Sequence, residues 1–269
     1  MANKTWDGST DGDWNTAANW TPSGVPGVGD DVRIPAGTPA IDAFDASGTA
    51  IGDFLVEEGY TNTIGSATAD LQIDPDRFEF AGTGLSYIDV SAANIDILIK
   101  NTATAASGAR GLVLIGSSMN VVSVLKGKVG IATVHNTTAT CTDLRVLGGD
   151  VWAGEGCTLT NVEITGGKAE LRCAATTIRC AKGDLTTNEE GAITTINLYS
   201  GSATLNSSGT ITTLNIHGGV CDFTQSGISR TVTTLNLNPG GSLKYDPNVM
   251  TLSTISEADA PISISSSTI

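Results

Sequence analysis

The sequence predicts an all-β chain, a right-handed parallel β-helix (β-solenoid) of about nine to ten coils with an N-terminal cap. Three observations carry this: a short unit that recurs in register, a glycine at the same offset in each unit, and few large side chains. Of 269 residues, 40% are hydrophobic but only 5% aromatic, while Gly reaches 32. Small and β-branched residues with regularly placed Gly suit many short strands joined by tight turns.

Each unit reads apolar, two small or polar residues, then apolar–polar–apolar, with Gly three residues later. The series runs Met119-Asn-Val-Val122-Ser-Val124 with Gly127, Cys141-Thr-Asp-Leu144-Arg-Val146 with Gly149, and Leu159-Thr-Asn-Val162-Glu-Ile164 with Gly167. It continues through Ala175-Thr-Thr-Ile178-Arg-Cys180 with Gly183 and Ile193-Thr-Thr-Ile196-Asn-Leu198 with Gly201. Ile211-Thr-Thr-Leu214-Asn-Ile216 with Gly219 and Val232-Thr-Thr-Leu235-Asn-Leu237 with Gly240 complete it. Successive starts lie 22, 18, 16, 18, 18 and 21 residues apart.

The last two apolar residues of a unit are two apart, so both face one side of a strand. The first is three from the second, which breaks period two and implies a bend between them. The Gly permits the positive φ of a second corner. A second short strand follows, as in Val129/Ile131, Val151/Ala153, Ala169/Leu171, Ala203/Leu205 and Cys221/Phe223. Such units cannot bury their own apolar face, but stacked they share one core. No long 3.6-residue period supports a helical fold. An antiparallel sandwich would not call for near-identical units with in-register Gly.

Earlier units are weaker. Ile51-Gly-Asp-Phe54-Leu-Val56 with Gly59 fits, Ala92-Ala-Asn-Ile95-Asp-Ile97 fits without the Gly, and Leu71-Gln-Ile73 is assigned to the coil between them. The expected organisation is a Trp-rich cap at 1–39, a β-helix over 40–250, and a C-terminal cap or docking arm at 251–269.

The opening segment contains Trp6-Asp-Gly, Trp14-Asn, Asn19-Trp20, Pro26 and Gly29-Asp30-Asp31-Val32-Arg-Ile34-Pro35. Bulky Trp side chains over the first coil would shield an end that otherwise exposes the core. This run resembles the opening of β-solenoid proteins of tailed bacteriophages, with related openings in bacterial surface and autotransporter passenger proteins. The resemblance covers roughly residues 6–35. It implies a virion structural protein: a capsid decoration, vertex or tail-associated component, partnered by the major capsid or a vertex or tail protein. No functional residue beyond the motif carries over.

The net charge is −14, from 28 acidic and 14 basic residues. Such a chain repels phosphate, so nucleic acid is not an expected partner. The same charge favours the capsid exterior over an interior that faces packaged DNA. No apolar run is long enough to span a bilayer, and the N-terminus lacks the apolar segment of a signal peptide. The expected origin is therefore the host cytoplasm, without membrane association. The missing export signal also disfavours a bacterial surface adhesin.

Parallel β-helices also host glycan-binding and glycan-cleaving proteins of the tailspike type, which cluster carboxylates with basic residues on one outward face. Here the outward residue between the core pairs is Ser123, Arg145, Glu163, Arg179, Asn197, Asn215 and Asn236 in turn. One carboxylate between two arginines reads as a solvated salt-bridge stack, so no enzyme and no cofactor is expected. Asp42/Asp45 and Asp74/Asp76 read as turn formers, as do Asp7, Asp11 and Asp13, whose spacing fits no calcium loop. His135 and His217 lack metal or nucleophile partners at useful spacing. The five cysteines form no CxxC pair, and Cys157 and Cys173 should stack on adjacent coils as reduced thiols.

The residue after each core pair is Leu125, Leu147, Thr165, Ala181, Tyr199, His217 and Asn238, and should point outward. With Trp152 from an adjacent strand, Leu125, Leu147, Tyr199 and His217 form the candidate interface stripe. A repeated apolar stripe implies self-association, and a trimer about the rod axis is the expected solution.

Overall fold

A computed structural model describes residues 1–42, 49–90, 95–102, 110–133, 137–188, 191–224, 227–257 and 263–265. The fold is all-β: parallel strands stack as a β-solenoid of about 11 turns. The chain divides into two compact units, Met1–Thr142 and Asp143–Ile269.

In the second unit the repeat maps onto strands Cys157–Ile164, Ala174–Cys180, Ile193–Leu198, Ile211–Ile216, Arg230–Leu237 and Met250–Glu257. Val162, Ile178, Ile196, Leu214 and Leu235 pair in succession, as do Ile164, Cys180, Leu198, Ile216 and Leu237. All ten are buried, as are Leu144 and Val146. The second sheet aligns Val151, Ala169, Leu185, Ala203, Cys221 and Leu243. One inward row there includes Thr187, whose hydroxyl lies 3.1 Å from that of Ser207, so both buried oxygens are partnered.

The glycines sit where the pattern requires them. Gly149, Gly167, Gly183, Gly201, Gly219 and Gly240 all have positive φ, between 70° and 109°. Close stacking adds a second constraint. A Cβ on Gly201 would stand 2.1 Å from the Gly183 carbonyl oxygen, whereas one on Gly240 would meet nothing within 4 Å. Conformation alone thus selects glycine at 240, and conformation plus coil contact selects it at 201.

In the first unit, Val32/Ile34, Phe54/Val56, Phe78/Phe80, Ile97/Ile99 and Val122/Val124 form the stacked rows. The Phe54 and Phe78 rings stack at 5.3 Å. Three expectations change here. Leu71/Ile73 belongs to the second sheet, paired with Ile88/Val90, and Phe78/Phe80 supplies the row between Phe54/Val56 and Ile97/Ile99. Pro75 stands opposite Ile51 in the first apolar position, within one ten-residue strand, Leu71–Phe80, that serves both sheets. The unit expected to begin at Ala92 starts outside the described residues, and its core pair is Ile97/Ile99 instead of Ile95/Ile97. A two-residue slip keeps the same faces inward, so alternation could not separate the two choices. Finally, Asp31–Ile34 pairs in parallel with Ala50–Val56, so the stacked sheet already includes part of the segment assigned to the cap. That strand lies outside 40–250, and Met250–Glu257 runs past its end.

Trp6, Trp14 and Trp20 are buried together. Trp20 meets Trp6 at 5.1 Å and Trp14 at 4.6 Å in edge-to-face geometry, and Trp14 lies 6.4 Å from Phe54 of the Ala50–Val56 strand. Two of the indole N–H groups are bonded: Trp6 Nε1 donates to the Pro39 carbonyl at 3.0 Å and Trp20 Nε1 to that of Trp14 at 2.8 Å.

Candidate functional site

The polar residues of the N-terminal signature are engaged in holding its own loops. Buried Asn19 donates to Asp11 Oδ1 at 2.6 Å and to the Asp13 carbonyl at 2.8 Å, and accepts the Thr10 and Asp11 amides. Asp30 accepts the amides of Ala2 at 2.7 Å and Gly27 at 3.0 Å, which hold its carboxyl below the usual range. Asp31 accepts the Asp53 amide at 2.9 Å. Asp7, Asp11 and Asp13 each accept the amide two residues on, forming Asx turns. The Thr21 hydroxyl and the Asn19 amide lower Asp7 and Asp11 respectively. Among the described residues no cluster of His, Cys, Asp or Glu could hold a metal ion. His135 and Asp45 lie outside the described residues.

The outward stripe of the second unit is built by the coil-to-coil ladder. The amides of Thr165, Ala181, Tyr199, His217 and Asn238 bond to the carbonyls of Val146, Ile164, Cys180, Leu198 and Ile216 at 2.8–2.9 Å. Backbone register therefore sets these side chains above one another. The Tyr199 and His217 rings stack 4.6 Å apart and 9° from parallel. The Arg179 guanidinium lies 5.1 Å from the Tyr199 centroid, and Asn238 Nδ2 is 3.0 Å from His217 Nδ1. Arg179, Tyr199, His217 and Asn238 thus form one continuous stack. Leu147 is 46% and Tyr199 43% exposed, and His217 is exposed.

The remaining interface residues fall elsewhere. Leu125 is exposed in the first unit, at 42%. Trp152 belongs to the second sheet, is half-buried, and donates Nε1 to Glu170 Oε2 at 3.0 Å. Glu170 also accepts Arg172 and Asn188, each at 3.1 Å. The structure therefore brings Tyr199 and His217 together and gives Trp152 a separate neighbourhood.

The outward row between the core pairs is a second ladder. Asn236 Nδ2 donates to Asn215 Oδ1 at 2.6 Å, and Asn215 Nδ2 to Asn197 Oδ1 at 2.8 Å. Glu163 pairs with Arg179, while Arg145 turns 3.5 Å to Asp143 instead of sharing Glu163. Asp143 also accepts Asn161 at 2.8 Å. These residues line a shallow open depression of about 360 Å³. A second depression, of about 470 Å³ in the first unit, includes Glu79, whose carboxylate is shared by Arg77 and Lys100. Glu163–Arg179, Asp143–Asn161 and Glu79–Lys100 link neighbouring coils, while Arg145–Asp143 and Arg77–Glu79 pair within one strand.

All five cysteines are buried. The register Thr158↔Ala174 sets Cys157 beside Cys173 on adjacent coils, as expected. Burial, with a lesser effect of Asp184, pushes the Cys180 thiol up to about 11, and burial raises that of Cys221. Neutral thiols of this kind pack as small hydrophobes and are poor nucleophiles.

No protein-family model, no curated protein and no solved structure matches this chain.

Proposed function

We propose that this chain is a structural component of a tailed-phage virion, a capsid decoration or vertex protein on the outer surface. The observation that carries a structural reading is the continuous stack Arg179–Tyr199–His217–Asn238 beside the Asn197–Asn215–Asn236 ladder. Outward groups that would serve a ligand in a β-helix enzyme here bond coil to coil. The Tyr199 ring stacks on His217 at 4.6 Å and has the Arg179 guanidinium 5.1 Å from its centroid, so it is engaged within the chain. An aromatic ring already stacked within the chain offers less surface for sugar stacking, which favours protein contact over glycan binding. The N-terminal signature supports the phage setting, and the −14 charge supports the exterior position, away from packaged DNA.

The partners are other virion proteins and further copies of the chain. Leu147 and Tyr199 are exposed in one outward row, with Thr165 and Ala181 between them, a surface suited to a closed trimer. Analytical ultracentrifugation tests this. Leu147→Glu and Tyr199→Glu should each weaken lateral association at least tenfold, with melting temperatures within a few degrees of wild type, because both side chains are exposed. Unchanged association and unchanged incorporation into particles in both variants would remove the stripe as the interface.

A further inference from the structure

The last described long strand, Met250–Glu257, is an open edge. Among the described residues it pairs with Arg230–Leu237 alone, in parallel register. Among the described residues, its outer N–H and C=O groups have no strand partner and nothing stacks beyond its core row. Ile255 occupies the row of Leu235, yet it is 45% exposed where Leu235 is fully buried. Leu252 occupies the row of Val232 and is half-buried, and Thr251, Ser253, Thr254 and Ser256 are exposed. An edge of this length with apolar residues on its core side is a template for strand addition.

We infer that this edge pairs antiparallel with the same strand of a second copy across a two-fold axis. The spacing of its apolar residues makes it self-complementary. With the axis between Ser253 and Thr254, Leu252 faces the partner subunit's Ile255, and Ile255 faces the partner subunit's Leu252. An isologous contact demands this reciprocity. The bend that turns both residues inward in every coil, three positions apart, is what allows them to meet in one shared core. Thr251 then opposes the partner subunit's Ser256, and Met250 opposes the partner subunit's Glu257.

Charge points to the same occupant. The chain carries −14 overall, but Met250–Ser256 holds no charged residue. Two copies of an acidic protein can therefore meet here without like charges in register. The outermost strand of the first unit offers no comparable edge: Trp20–Thr21 is two residues long and runs into Pro22, which lacks an N–H. A head-to-tail stack is accordingly not supported, and a tail-to-tail pair is.

The inference does not rest on the lateral stripe, and two experiments on the full chain keep them apart. Ile255→Lys should halve the solution mass at micromolar concentration without lowering the melting temperature, while Tyr199→Glu leaves this contact in place. Ser253→Cys and Thr254→Cys proteins, mixed and oxidised, should form a disulfide-linked heterodimer, since directly opposed residues fall within bridging distance. An unchanged mass for Ile255→Lys, or no heterodimer above the level of either protein alone, would overturn the proposal. Association that arises only after deletion of residues 258–269 would assign the edge to that segment of the same chain and overturn it equally.

Discussion

Ile216→Asp is expected to leave the second unit without a stable folded state at neutral pH. Ile216 is fully buried, with Leu198 and Leu237 stacked in register on either side. Removing the side chain forfeits about 2–3 kcal/mol of apolar burial. The carboxylate then enters a row with no cation or donor in its place, which costs several kcal/mol more unless it takes up a proton. A total above roughly 5 kcal/mol is comparable with the whole stability of a typical domain. The folded-state pKa of this new group is raised, so its penalty is largest above that pKa and shrinks as pH falls below it. Urea unfolding followed by circular dichroism should show the loss at pH 7 and partial recovery near pH 4 to 5. Thr212→Asp, on an exposed position of the same strand, should change stability by no more than about 0.5 kcal/mol.

Trp14→Ala should cost about 3–5 kcal/mol, confined to the first unit. Trp14 is 2% exposed, wedged between Trp20 and Phe54, and its carbonyl accepts the Trp20 indole N–H. Truncation opens a cavity beside the core row that begins with Val32 and Phe54. Hydrogen exchange resolved by peptide should show faster exchange across 1–80, with protection of 143–257 unchanged. Trp14→Phe, which keeps an aromatic ring against Trp20, should lose less than half as much. Equal loss of protection in both units would show that the cluster does not act as a local cap.

The core rows of the second unit were legible because two constraints coincide in each unit: apolar residues two apart, and a glycine whose positive φ closes the turn. Where one of the two is missing, the reading slipped. Pro75 takes an apolar position without looking like one, so the coil between Ile51 and Ala92 reads as Leu71-Gln-Ile73, whereas Leu71–Phe80 serves both sheets and Phe78/Phe80 supplies the row. Ile95 and Ile97 both face inward, and only the irregular register beside Ile95 decides which begins the core pair. Val32 and Ile34 read as part of a cap motif, although their alternation is that of a first core row.

The stripe was legible as a row of positions but not as a set of contacts. Arg179 reaching Tyr199, and Asn238 reaching His217, depend on side chains of neighbouring coils that differ in length by several residues. Trp152 illustrates the limit. Alternation correctly turned it away from the core, but its partner is Glu170, the residue opposite it on the next coil, and not the stripe.

The central claim is that this chain serves as a structural protein on the outside of a virion. Mass spectrometry of extensively washed virus particles produced from a genome that carries the sequence, combined with antibody labelling of intact capsids, tests it most directly. The account predicts the chain in multiple copies per particle and labelled without opening the capsid. Its absence from washed particles, or labelling only after DNA release, would contradict that claim.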